Sequence, residues 1–180
     1  FYREKEAVDF SKVKPLIIGR LVGGPIGLFL LLNLSEKYLS IAVGFIVFIA
    51  GVGSFFGWII NRNIFNSFLA GTFSGVFGMV AAIGGPPIAL LYRNTRSQEF
   101  RPSLNSVFSI GIVITLSLLL LSGNLLWDHF LLFTIFIPFV LIGIRVSSSL
   151  FSKVSDQFIS QAVTYFSVLS GLYVILRNIN

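Results

Sequence analysis

Residues 81–94, AAIGGPPIALLYRN, place Gly84, Gly85, Pro86 and Pro87 inside a long apolar run. Two glycines and two prolines break a helix at membrane depth, a break tolerated only where protein or a watery cavity covers it. Glycine permits unusual dihedrals and close approach of another group. Proline suits the first turn of a new helix. Such a restart presents backbone amides near Gly84, Gly85, Ile88 and Ala89 to an anion, with no charged side chain required. A plain kink is the alternative, but two Gly and two Pro together are costlier than one kink requires. Asn105, Ser106 and Ser109 follow a basic stretch, where lining a pathway competes with capping and interhelical bonding.

Other chemistries lack their groups. Cysteine is absent and His129 is the single histidine, which argues against a zinc centre, an iron–sulfur cluster or a thiol nucleophile. His129 follows Trp127 and Asp128 in what is expected to be a polar connection with an interfacial tryptophan. No Asp or Glu falls deep in an apolar run, which argues against a carboxylate proton relay. Without a nucleophile–base pair or a phosphate loop, the chain is not expected to be an enzyme, and no cofactor or metal is implied. Nothing points to nucleic acid.

The elements that must hold the break are membrane helices. Of 180 residues, 55% are hydrophobic and only 11% charged, against about a quarter charged in soluble domains. The expected crossings are 15–34, 38–60, 64–83 with the short return piece 88–92, 104–121, 130–150 and 158–176, joined by short polar connections. The fold class is therefore all-α, a polytopic α-helical membrane protein. Ala70, Gly71, Ser74, Gly75, Gly78, Ala81 and Ala82 form a small-residue face leading into the break. Gly71, Gly75 and Gly78 are read first as a helix-packing seam.

An internal repeat is also visible. At an offset of 120, SEKYLSIAVGFIVFIAG (35–51) aligns with SDQFISQAVTYFSVLSG (155–171), superposing Ser35 on Ser155 and Gly51 on Gly171; upstream, an offset of 116 places Gly27 on Gly143. Internal helical repeats of this kind mark secondary transporters. They divide one membrane domain into 1–60, the end of a first repeat, and 61–180, the second. The chain begins at Phe1 with a charged stretch and no signal-peptide pattern, so an upstream part is expected.

Lysine and arginine test the break. If 64–83 crosses once, the two sides carry seven and six basic residues. If the chain instead breaks at GGPP and re-enters, the loop with Arg93, Arg96 and Arg101 changes side, and so do Arg145 and Lys153. The count becomes eleven against two, with only Lys37 and Arg177 opposite. The positive-inside rule prefers this re-entrant arrangement. Arg20 and Arg145 lie near span ends, where snorkelling to the interface is the default and an anion-attracting role the lesser reading.

The stretch LAGTFSGVFGMVAAIGGPPIAL (69–90) resembles the signature of the TauE/SafE family of sulfite and sulfonate exporters, through Gly71, Gly75, Gly78, Gly84, Gly85 and Pro86. The flanking helix pairs are similar as well. The resemblance implies two related helical halves, each with its own Gly-rich break, the first upstream of Phe1. It also implies transport of a small anion such as sulfite or an organosulfonate in a bacterial inner membrane. Met79, Val80 and Ala82 stand where glycine is usual. The expected site is Gly84, Gly85, Pro86 and Pro87 with Asn105 and Ser106; the expected partners are a small anionic substrate and membrane lipid, with a homo-oligomer left open. The rivals are an anion channel and a non-transporting membrane scaffold or assembly subunit.

Overall fold

A computed structural model describes residues 10–57, 60–92, 97–125, 127–151 and 156–179; at 54, 97–101, 147–151, 156–160, 162, 163 and 179 it describes the backbone alone. Arg3, Lys5, Arg93, Arg96 and Lys153 of the charge count lie outside these residues. The described residues form seven helices and no strand: α1 (Phe10–Asn33), α2 (Glu36–Phe55), α3 (Ile64–Ala81), α4 (Gly85–Leu91), α5 (Ser97–Leu121), α6 (Trp127–Phe151) and α7 (Asp156–Ile179). Among them, α1, α2, α3, α5 and α6 contain stretches long and apolar enough to cross a membrane. The sixth expected crossing, 158–176, falls within α7, where residues 158–160, 162 and 163 lack described side chains.

Glycines set the packing. A Cβ at Gly71 would fall on the Leu16 carbonyl, one at Gly19 on the Phe68 carbonyl and one at Gly23 on the Thr72 carbonyl. Farther along, Gly75 lies against the Arg20 carbonyl at 2.9 Å and Gly27 against that of Val76 at 2.8 Å, both measured from an added Cβ. The numbers rise together, so α1 and α3 run parallel in backbone contact. Lipid is as apolar as leucine and gives no hydrophobic drive to associate, so such proximity is what holds helices together in a membrane. The sequence reading found α3's half of this seam; its counterpart is Gly19, Gly23 and Gly27 on α1. On the other side of α1, α5 is also parallel: Leu118 and Ile114 approach Gly24, while Val107 and Gly111 approach Arg20. Helices α2 and α7 form a separate antiparallel pair, in which Gly51 meets Val168 and Gly171 meets Phe48.

The break behaves as its residue types require. Ala82 closes α3 in the left-handed region (φ 56°, ψ 20°). Its N–H donates to the Gly78 carbonyl at 3.1 Å, the bond of an αL helix ending, and that of Ile83 donates to Phe77 at 3.3 Å. The chain then doubles back. Ser74 Oγ donates to the Gly84 carbonyl at 2.6 Å, and at the far end of α4 Arg62 donates to the Tyr92 hydroxyl at 2.8 Å. Helix α4 thus lies antiparallel to α3 and ends beside the residues that precede it. Ile88, Leu91 and Tyr92 join Val13, Leu16, Ala70 and Val107 in the buried cluster. By contrast, every residue of α6 over 127–146 is exposed, an apolar surface for which lipid is the solvent. Trp127, Asp128 and His129, expected in a connection, form the first turn of α6.

Candidate functional site

The break is not occupied by backbone alone. Arg20 of α1, only 6% exposed, reaches into it. This corrects the snorkelling expectation: the side chain is enclosed between helices, against Gly78, Gly84 and Gly111, instead of extending along α1 to an interface. Arg145, in contrast, is exposed on α6.

Glycines make room for the Arg20 side chain. A Cβ at Gly111 would fall on the guanidinium carbon, and one at Gly78 would come 3.0 Å from Nη2. One at Gly84 would stand 3.5 Å from Nη2 and 2.8 Å from both the Ser74 carbonyl and its hydroxyl. The Phe108 ring lies with its centroid 5.4 Å from Cζ, within cation–π range. Nη1 donates to the Val107 carbonyl at 3.5 Å, the outer limit of a hydrogen bond. No carboxylate pairs with Arg20 among the described residues.

The residues singled out from the sequence fall into two groups. Gly84, Gly78 and Ser74 are brought together at the guanidinium, so Gly78 belongs to the site as well as to the seam. Gly85 is more open: a Cβ there would meet only Phe108, at 4.0 Å. Pro86 and Pro87 occupy the first turn of α4 and carry no amide donor. The buried side chain of Arg20 brings a positive charge to the break. Asn105 and Ser106 are not brought to it. Val107 and Gly111 define the α5 face toward Arg20, and Asn105, two residues before Val107, is rotated about 200° from it. Asn105 is exposed and Ser106 half-buried. Among the described residues no group of three His, Asp or Glu is placed to hold a metal ion.

A guanidinium offers five donors in a planar fork and matches oxyanions in two-point contacts. That of Arg20 is buried in a glycine-walled site beside a broken helix, an arrangement with the chemistry to hold a small oxyanion. Comparison with curated proteins and with solved structures finds no match. The family model for the sulfite exporter TauE/SafE matches residues 1–174. On that match over nearly its whole length, the chain belongs to the sulfite exporter TauE/SafE family, integral membrane transporters of small sulfur-containing anions.

Proposed function

We propose that the protein exports sulfite, a sulfonate or a similar small anion across a bacterial inner membrane by alternating access, with the anion bound at the GGPP break opposite Arg20. The observation that carries this reading is the buried guanidinium: a cation enclosed among membrane-spanning helices is costly and is kept where it has work to do. Gly84 and Gly85 let the anion approach the backbone, and Pro86 and Pro87 fix the start of α4. Asn105 and Ser106, on an adjoining face of α5, are assigned to the lining of the path.

Two further features fit. First, adding 120 to Phe48 and Gly51 gives Val168 and Gly171, so the contact Gly51–Val168 maps onto Gly171–Phe48. A two-fold axis between α2 and α7 requires such a pairing, which supports an inverted repeat divided near residue 60. Second, the return of α4 to Arg62 supports a re-entrant 62–92 segment and the eleven-to-two charge bias. The chain has no native cysteine, so single cysteines at Asn63 and Ser97 report topology directly. An impermeant maleimide is expected to label both from the same face. Labelling from opposite faces would sink the re-entrant arrangement.

The function is tested by radiolabelled sulfite movement in proteoliposomes. Saturable flux, competed by sulfonates, is expected. Flux that rises linearly without saturation would favour a channel. No flux with sulfite or a panel of small anions would return the glycine seam to a scaffold role.

A further inference from the structure

We propose that Phe108 is a specificity-determining residue of the anion site. Its ring edge and Gly85 form an apolar seat for the fourth substituent on sulfur, which accepts a lone pair or a carbon and rejects a polar group. The inference deepens the reading above and rests on its placing of the anion at Arg20.

The seat follows from which sides of the guanidinium are closed. Gly111 of α5 lies against its carbon, and Cβ atoms at Gly78 and Gly84 would stand 3.0 and 3.5 Å from Nη2. The Val107 carbonyl faces Nη1 at 3.5 Å. Gly84 is buried, but Gly85, the next residue, is half-buried. Among the described residues, a Cβ at Gly85 would meet one neighbour within 4 Å, the Cζ atom of Phe108 at 4.0 Å. The wall of the site therefore opens at Gly85, and the atom bounding the opening is a ring carbon. The centroid of the same ring stands 5.4 Å from the guanidinium carbon, so Phe108 reaches from the charge to the opening. The ring also packs against the buried cluster that includes Ile88 and Val107, which limits its displacement.

An oxyanion of sulfur turns its oxygens to a guanidinium fork. The fourth position on sulfur is then left to the open side. Sulfite carries a lone pair there, a sulfonate a carbon, sulfate an oxygen and sulfamate an amine. Beside Phe108 an oxygen or an amine would lose water and gain no hydrogen bond, whereas a carbon has no such penalty. Discrimination thus comes from the cost imposed on the wrong ligand. Arg20 is the one buried charged side chain among the described residues, so charge balance also favours a singly charged ligand over the sulfate dianion.

Methanesulfonate and sulfamate isolate the seat from the charge. Both carry one negative charge in nearly the same shape, and they differ by a methyl against an amine. Radiolabelled sulfite is bound at equilibrium to the purified full chain in detergent and displaced with each. Methanesulfonate is expected to displace it about a hundredfold better, the discrimination an apolar pocket achieves against a polar isostere. Phe108→Tyr adds a hydroxyl at the ring carbon that faces Gly85, where it can pair with the amine. The preference is expected to fall to about tenfold, the gain of one hydrogen bond. Phe108→Leu keeps the seat apolar and is expected to keep the preference. The readout is the ratio of the two competitors, because a general packing defect weakens both alike. Sulfamate bound as tightly as methanesulfonate, a ratio that Phe108→Tyr leaves unmoved, or no sulfite binding at all would overturn the proposal. Transport fails separately: if proteoliposomes show no sulfite flux while the ratio and its fall in Phe108→Tyr hold, the seat stands without transport. Saturable flux with an unmoved ratio keeps transport and removes Phe108.

Discussion

Arg20→Gln is expected to abolish saturable sulfite flux while leaving the fold as stable as before, or more so. Removing one partner of a buried charge contact costs about 2–5 kcal/mol of binding, or roughly 30-fold to several thousand-fold in affinity. The stability change runs the other way. Arg20 has a single long hydrogen bond, to Val107, and no carboxylate partner among the described residues. Glutamine therefore deletes a desolvated cation without orphaning an opposite charge, and replacing buried charge by a neutral side chain is often neutral or stabilising. An unchanged or raised melting temperature in detergent, with flux lost, separates a recognition residue from a structural one. Arg20→Lys sharpens the test. It keeps the charge but not the planar fork or the contact with Phe108, and an intermediate flux with a raised KM is expected. Flux retained in Arg20→Gln would remove Arg20 from the site.

Much of this arrangement was legible in the sequence, and the part that was not has a specific cause. GGPP announces itself because glycine and proline have few other reasons to cluster in an apolar run. The seven–six against eleven–two charge count favours a re-entrant segment, which the maleimide labelling tests; α4 lies antiparallel to α3. Arg20 was misplaced because only its nearness to the end of an apolar stretch is visible in the sequence; what encloses it is Gly78, Gly84, Val107 and Gly111 on other elements, which no local pattern reveals. Asn105 and Ser106 lie on α5 (Ser97–Leu121) away from the Arg20 guanidinium. Their polarity was visible, but the face that meets α1 is fixed by Gly111 and Val107, whose partner is a side chain on another helix. Contacts of that kind have no local sequence signal. Gly19, Gly23 and Gly27 did have one, a spacing of four residues opposite an equally spaced run on α3.

The two glycines of the break are expected to respond very differently to a single methyl group. Neither is glycine for the sake of its dihedrals: Gly84 has φ −83° and ψ −1°, ordinary values for any residue, and Gly85 opens a right-handed helix. What distinguishes them is the space their missing Cβ leaves. At Gly84 the added carbon would stand 2.8 Å from two oxygen atoms of Ser74 and 3.5 Å from Nη2 of Arg20. The serine carbonyl belongs to α3 and has nowhere to retreat, since α3 is in backbone contact with α1 along the seam. Gly84→Ala must therefore push α4 away from α3, breaking the Ser74–Gly84 bond and shifting the Arg20 guanidinium. Overpacking of this kind costs about 1–3 kcal/mol in stability, and a displacement of about 1 Å at a reacting or binding group can cost a hundredfold in function. At Gly85 the added carbon meets only the edge of Phe108 at ordinary contact distance, so Gly85→Ala is expected to retain near-normal flux and melting temperature. Gly85→Leu fills the space beside Phe108 and is expected to lose flux with little loss of stability. Equal effects from the two alanine substitutions would mean that α4 is not held against Ser74 during transport, and the break would then act as a hinge rather than as the wall of a site.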